Sequence, residues 1–173
     1  MDSKDLKALI ASAKLPEKTV LLCLRGDLQA EWEEADRQLI AMRAKKSNTL
    51  AGNPEEAPLA ERIKQLEQEM AESTVTLRFR ALRRTAWLEM LAMFPPRKDN
   101  AADKSMGMNG PAFFKALIPA SLVSPEIEGD DLAELLDAIT DAQYAQIENT
   151  VWALNRQDVS VPFSYTASQT IPG

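Results

Sequence analysis

The chain has 173 residues, of which 45% are apolar, and carries a formal charge of −6 with no histidine and one cysteine. That length and apolar share suit one domain or two small ones with a packed core. Residues 99–173 hold 3 Lys/Arg against 11 Asp/Glu, a poor basis for tracking phosphate backbones, which takes clustered Lys and Arg, so nucleic acid is not expected as a partner.

Ser3 is placed to cap a first helix with Leu6, Leu9, Ile10 and Ala13 on one face, ended by Leu15-Pro16. Lys18 to Leu24, rich in Val, Thr and Leu and closed by Gly26-Asp27, reads as a strand, with Asp27 capping a helix that runs to about Lys46. That helix carries Leu28, Trp32, Ala35, Leu39 and Met42 at four-three spacing, and a second carries Leu59, Ile63, Leu66 and Met70 in the same way. Seams of this kind pack on each other or on a partner. Residues 47–57 are rich in turn formers and read as the hairpin loop, and Pro58 suits the first turn of the second helix. Val75, Leu77 and Phe79 then alternate with Thr76, Arg78 and Arg80, the signature of a strand with one buried face. It returns beside the first strand as a two-stranded antiparallel ribbon at the base of the hairpin. Thr19, Val20, Leu22, Arg25 and Trp32 recur as Thr74, Val75, Leu77, Arg80 and Trp87, at an offset of 55, which links the two strand regions.

Trp87, Leu88, Leu91 and Phe94 define a further helix, stopped by Pro95-Pro96 and followed by a polar loop from Arg97 to Asn109. Pro111 starts a helix bearing Phe113, Phe114, Leu117 and Ile118, which Pro119 kinks or ends. Asp130 or Asp131 caps a turn with Leu132, Leu135, Leu136 and Ile139. Thr140-Asp141-Ala142-Gln143 has capping-box spacing for a last helix with Tyr144, Ile147, Val151 and Leu154. Beyond Asn155 the period disappears, and Val159 to Gly173 reads as a mobile tail. The expected fold is α+β, mainly α. Residues 1–82 form an N-terminal helix, β-ribbon and helical hairpin, 83–156 a small orthogonal helical bundle, and 157–173 a flexible tail.

No catalytic constellation is present in this pattern. Without histidine the usual general base and the commonest zinc ligand are missing, and a single cysteine excludes thiolate metal sites. The six glycines never reach phosphate-loop or dinucleotide spacing. Glu126, Glu128, Asp130 and Asp131 lack the glycine and alternating ligands of a calcium loop and read as a solvated helix start. The expectation is a non-enzymatic protein with no cofactor and no metal. Cys23 lies in the apolar run Val20 to Leu24, where a buried thiol acts as a small hydrophobe, and no run approaches the length of a membrane span, so a cytoplasmic protein is expected.

Two surfaces are candidates for partner binding. One is the hairpin seam, through Trp32, Leu39, Met42, Ile63, Leu66 and Met70; Met and aromatic side chains are a recurrent device for adaptable recognition, and the chain has seven Met. The other is Arg78, Arg80, Arg83 and Arg84 beside Phe79 and Trp87. Those arginines read as the outer face of an edge strand, as a dock for an acidic protein, or, more remotely, as a single-strand nucleic-acid surface.

The run Thr74 to Leu82, continuing through Trp87-Leu88 to Phe94-Pro95-Pro96-Arg97, resembles a segment of the tail assembly chaperones of long-tailed, siphovirus-type phages that infect actinobacteria. Trp152-Ala153-Leu154-Asn155-Arg156, followed by Val159-Ser160-Val161-Pro162-Phe163-Ser164, is similar to a later segment of the same family, so the likeness spans residues 59–168. The resemblance implies a non-enzymatic role: holding the long, aggregation-prone tape measure protein, and tail tube subunits, until the tube polymerises. It implies a chaperone usually absent from the finished particle, and a family in which a programmed frameshift often yields a longer second product. An acidic C-terminal part and an apolar seam are compatible with that role. They are equally compatible with a virion structural protein or an oligomerising adaptor such as a head-tail connector, and a nucleic-acid-binding regulator acting through Arg78 to Arg84 is the remote alternative.

Overall fold

A computed structural model describes residues 2–46 and 54–158. The described residues are mainly helical, at 67%, with a small antiparallel sheet of three strands among them. The hairpin-loop residues 47–53 and the tail from Val159 onward lie outside the described residues. Contacts divide the chain into two compact units that are discontinuous in sequence, where the sequence pattern divides it linearly at residues 82 and 156. The hairpin unit comprises the described residues of Thr19–Phe79 and Leu122–Ile147; the aromatic unit comprises those of Met1–Lys18, Arg80–Ser121 and Glu148–Gly173.

In the hairpin unit, alternation makes the strands. β1 (Glu17–Cys23) buries Val20 and Leu22, and β2 (Thr74–Arg80) buries Leu77 and Phe79, with Arg78 exposed between them. The Leu24 N–H donates to the Ser73 carbonyl at 3.0 Å, which brings the end of β1 to the start of β2. The expected two-stranded ribbon gains a third strand, β3 (Leu122–Ser124), antiparallel to β2 with Phe79 opposite Leu122 and Arg78 opposite Ser124. The order β1-β2-β3 makes β2 the central strand, so Arg78 and Arg80 do not line an edge. Between β1 and β2 stand the two long helices, α2 (Asp27–Lys46) and α3 (Glu56–Glu72), with Pro58 in the first turn of α3. Asp27 is the first helical residue rather than a demonstrated cap, and its carboxylate takes Arg25 at 2.8 Å. α7 (Gly129–Ala138) buries Leu132, and its N-cap is Glu128; Asp130 and Asp131, expected as caps, sit two and three residues further in, in the first turn. There their charge still favours the helix N-terminus.

In the aromatic unit, Asp2 rather than Ser3 caps α1 (Ser3–Ser12): its carboxylate accepts the backbone N–H of Lys4 and Asp5, while the Asp5 carboxylate accepts the Asp2 N–H. The Asp2/Asp5 spacing completes a capping box that Ser3 cannot. α4 (Arg84–Met93) buries Trp87, with Leu91 and Phe94 half-buried, whereas Leu88 is exposed because it lies off the i, i+4, i+7 line of those three. The stretch read as a polar loop contains α5 (Ala101–Met106), capped by Asn100, whose Oδ1 accepts the Asp103 N–H at 3.0 Å, and ended by Gly107 at φ 76°. α6 (Gly110–Ser121) carries Pro119 inside it and ends two residues later, as expected of a proline that gives up a helical hydrogen bond. Last comes α8 (Asp141–Arg156), which begins in the hairpin unit. Its capping box forms as the sequence predicts, with Thr140 N–H on Gln143 Oε1 at 3.0 Å and Gln143 N–H on Thr140 Oγ1 at 3.3 Å. The core of this unit is aromatic. Phe113 meets Trp87 edge to face at 5.4 Å and Phe114 at 5.5 Å, and Trp152 meets Trp87 at 5.5 Å.

Candidate protein-interaction surfaces

The hairpin seam closes on itself. Ala35 and Leu39 of α2 and Ile63 of α3 form one buried cluster, flanked by Trp32, Leu59 and Ala60, and Leu66 is fully buried. Trp32 is half-buried, and its indole N–H donates to Glu67 Oε1 across the hairpin at 3.2 Å. Polar pairs clamp the same joint from outside: Arg62 of α3 reaches Glu31 of α2 at 2.6 Å, and Arg43 of α2 reaches Glu56 of α3 at 3.0 Å. The hydrogen bond to Glu31 raises the Arg62 pKa above its already high ordinary value, so this cation stays charged. Met42 is half-buried at a shallow depression shared with Gln38, Pro54, Glu55, Pro58, Leu59 and Arg62. Met70 is also half-buried, and its carbonyl accepts Thr74 Oγ1 at 2.7 Å and the Cys23 thiol at 3.6 Å, so Cys23 is a half-buried hydrogen-bond donor rather than a core side chain. Of the six seam residues, Leu39 and Ile63 are therefore spent on the hairpin's own interior, Leu66 is fully buried, and Trp32, Met42 and Met70 reach the surface only in part.

The arginines occupy different local settings. Arg78 is exposed on β2. Arg80 is held by Glu17, its Nε donating to Oε1 at 2.7 Å. Arg83 is the N-cap of α4 without a side-chain capping bond, and Arg84 is its first residue; both are exposed.

The larger apolar exposure is in the aromatic unit. Leu6, Leu9 and Ile10 of α1, Leu88 and Met93 of α4 and Met106 of α5 are all exposed, against Leu21, Leu24 and Ile40 in the hairpin unit. Isolated exposed leucines are ordinary. A helix such as α1, with no buried residue and its apolar face outward, is not. Periodicity aligns Leu6, Leu9 and Ile10 on one face of α1 but does not say what they meet.

Other chemistry is structural. Asp103, 2% exposed, accepts Arg97 Nε at 2.6 Å, the second guanidinium nitrogen at 2.9 Å and the Arg97 backbone N–H at 3.1 Å. These hydrogen bonds, those from the side chain foremost, hold its pKa below the usual carboxylate range. The pair ties the chain after α4 to α5. The pair lies in a polar stretch without apolar period, where the one helix signal is Asn100 three residues before Asp103, with Gly107 after. Among the described residues no group of three or more His, Cys, Asp or Glu is placed to hold a metal ion, and no helix is long and apolar enough to cross a membrane. In comparisons with known proteins, no family model matches the chain, and no curated protein or solved structure matches it.

Proposed function

We propose that the protein is a non-enzymatic phage tail assembly chaperone that binds the tape measure protein, and tail tube subunits, during tail morphogenesis. The observation that carries this reading is the outward apolar face of α1, together with Leu88, Met93 and Met106 in the same unit. Side chains of this kind, exposed in a chain that has ample polar residues to replace them, suit transient cover of an apolar client. The motifs of residues 59–168 that resemble the tail chaperones supply the identity of the client. The self-closed hairpin moves the binding surface away from the seam.

The test is co-expression of the protein with a tape measure protein, reading the soluble fraction of the client. The reading expects a large rise in soluble client, diminished when Leu9 and Ile10 are replaced by serine together with Met93. Unchanged client solubility with the wild-type protein sinks it. Stoichiometric incorporation of the protein into purified particles would replace it with the virion structural reading.

A further inference from the structure

β1 is an outer strand of the sheet, and its free edge is open. The order β1-β2-β3 gives it a single neighbour. The Leu24 N–H bonds the Ser73 carbonyl and the Pro16 carbonyl accepts the Ala81 N–H, both at 3.0 Å. Even-numbered residues along β1 therefore turn their backbone groups to β2, and odd-numbered ones turn theirs outward. The Cys23 carbonyl belongs to the outward set: it accepts Gln143 Nε2 of α8 at 2.9 Å, which closes that end of the edge. Thr19 and Leu21, both exposed, have outward N–H and C=O groups with no partner among the described residues. The other outer strand, β3, has three residues and runs into Pro125, which lacks an N–H, so it offers a shorter edge.

An open edge of this kind takes an extended strand, held by main-chain hydrogen bonds. The chain itself contains one with a fitting pattern. Past the helical period of α8, Val159, Val161, Phe163 and Tyr165 alternate with Ser160, Pro162, Ser164 and Thr166, the spacing of a strand with one apolar face. These residues follow closely on an anchored point. In the aromatic unit the Asn155 Oδ1 accepts the Leu82 N–H at 2.8 Å, Ala81 bonds Pro16, and Arg80 is paired with Glu17, so α8 ends at the end of the sheet from which β1 starts. Extended at about 3.3 Å per residue, the eight residues from Val159 to Thr166 cover the length of the seven in β1.

We propose that Val159–Thr166 docks on the open edge of β1 as a fourth strand, from the same chain and parallel to β1. This goes beyond the chaperone reading and does not depend on it. Two independent features give the direction. A strand that sets out from the Glu17 end and follows the edge runs the way β1 runs. Pro162 gives the same answer: without an N–H it fits only where the backbone faces solvent, which turns Val161 and Phe163 toward β1. In a parallel pair a residue turned toward its neighbour stands opposite one turned away, with both side chains on the same face. Val161 and Phe163 then stand opposite Val20 and Leu22 on the buried face, while Ser160, Pro162 and Ser164 join exposed Thr19 and Leu21. An antiparallel strand would put the apolar set on the exposed face instead. Docking gives Thr19 and Leu21 their missing partners and removes a template on which other chains could pair.

The test is amide hydrogen exchange, read by NMR, on the full chain and on single-proline variants of it. The Thr19 and Leu21 amides are expected to exchange at least about tenfold more slowly than unprotected amides, whatever the protein concentration. Val161→Pro and Phe163→Pro each remove an N–H that faces β1 and should abolish that protection. Ser160→Pro and Ser164→Pro remove only outward N–H groups and should keep it. The Val20 and Leu22 amides, which face β2, should stay slow in every variant and report that the fold is kept. Fast exchange at Thr19 and Leu21 in wild type, protection that survives both Val161→Pro and Phe163→Pro, or its equal loss in all the variants would each overturn the proposal. Protection that disappears on dilution, as a dimer dissociates, would make a second copy the occupant and overturn it as well. None of these readouts involves the client, so each leaves the chaperone reading in place.

Discussion

Leu66 distinguishes a stripe already buried in the fold from one that waits for a partner. Its side chain is fully buried in α3, so the whole transfer free energy of the removed atoms counts in Leu66→Ala. Three carbons at ~0.8 kcal/mol each amount to about 2.4 kcal/mol. A residual cavity of about 40 Å³, at ~24 cal/mol per Å³, adds about 1 kcal/mol. The expected loss is therefore about 3–4 kcal/mol, a large part of the ~5–15 kcal/mol that a domain has. For a chain of this size that corresponds to a fall in Tm of about 10 °C. Urea unfolding followed by circular dichroism measures it, with Ile40→Ala, at 61% exposure on the same hairpin, as the control expected to lose under ~0.5 kcal/mol. A loss below about 1 kcal/mol in Leu66→Ala, or client capture abolished at unchanged stability, would refute the structural role of this buried position and return Leu66 to the binding surface.

Three further outcomes follow from the cores and polar pairs. Phe113→Ala removes the ring that meets Trp87 and Phe114 and should cost about 3–5 kcal/mol, whereas Phe113→Leu should retain most of that; equal losses in urea melts would mean that the ring contacts contribute little. Asp103 has a pKa below that of the unfolded chain, so its ionised form stabilises the folded state above the ordinary carboxylate pKa, and this contribution disappears as pH falls through the lower, folded value. Asp103→Asn should be less stable at neutral pH and show a flatter decline in acid, and an unchanged acid profile in Tm against pH would contradict the pair's role. The Ser121 hydroxyl is buried with no hydrogen-bond partner among the described residues, so Ser121→Ala should leave stability unchanged or raise it by up to ~1 kcal/mol; a clear loss in thermal melts would show a bond that this geometry lacks.

The legibility of the chain followed the length of its patterns. Two long four-three stripes identified α2 and α3, and since both stripes needed cover, each other was the nearest surface. The alternation around Leu77 and the spacing of Thr140 with Gln143 were equally direct, because each is a local rule with a local consequence. β3 has three residues, too few to show a period, and pairs with a strand distant in sequence. Its presence is what turns β2 into a central strand and removes the edge-guarding reading of Arg78 and Arg80. α5 is six residues long and its signal lies in its caps, not in its polar interior. The stripe of α1 was legible as a stripe, but periodicity aligns side chains without saying whether protein or solvent lies opposite. For the same reason the candidate surface moved from the seam to the aromatic unit.

The central claim is that this protein holds an apolar protein client through exposed apolar side chains of the aromatic unit. The most direct measurement is recovery of the tagged protein from cells co-expressing its neighbouring genes, with bound chains identified by mass spectrometry, in parallel for wild type and for Leu9→Ser/Ile10→Ser. The account predicts a very long, helix-rich chain bound to wild type and depleted from the variant. Recovery of the protein alone, in an assembly that the variant forms equally well, would contradict it.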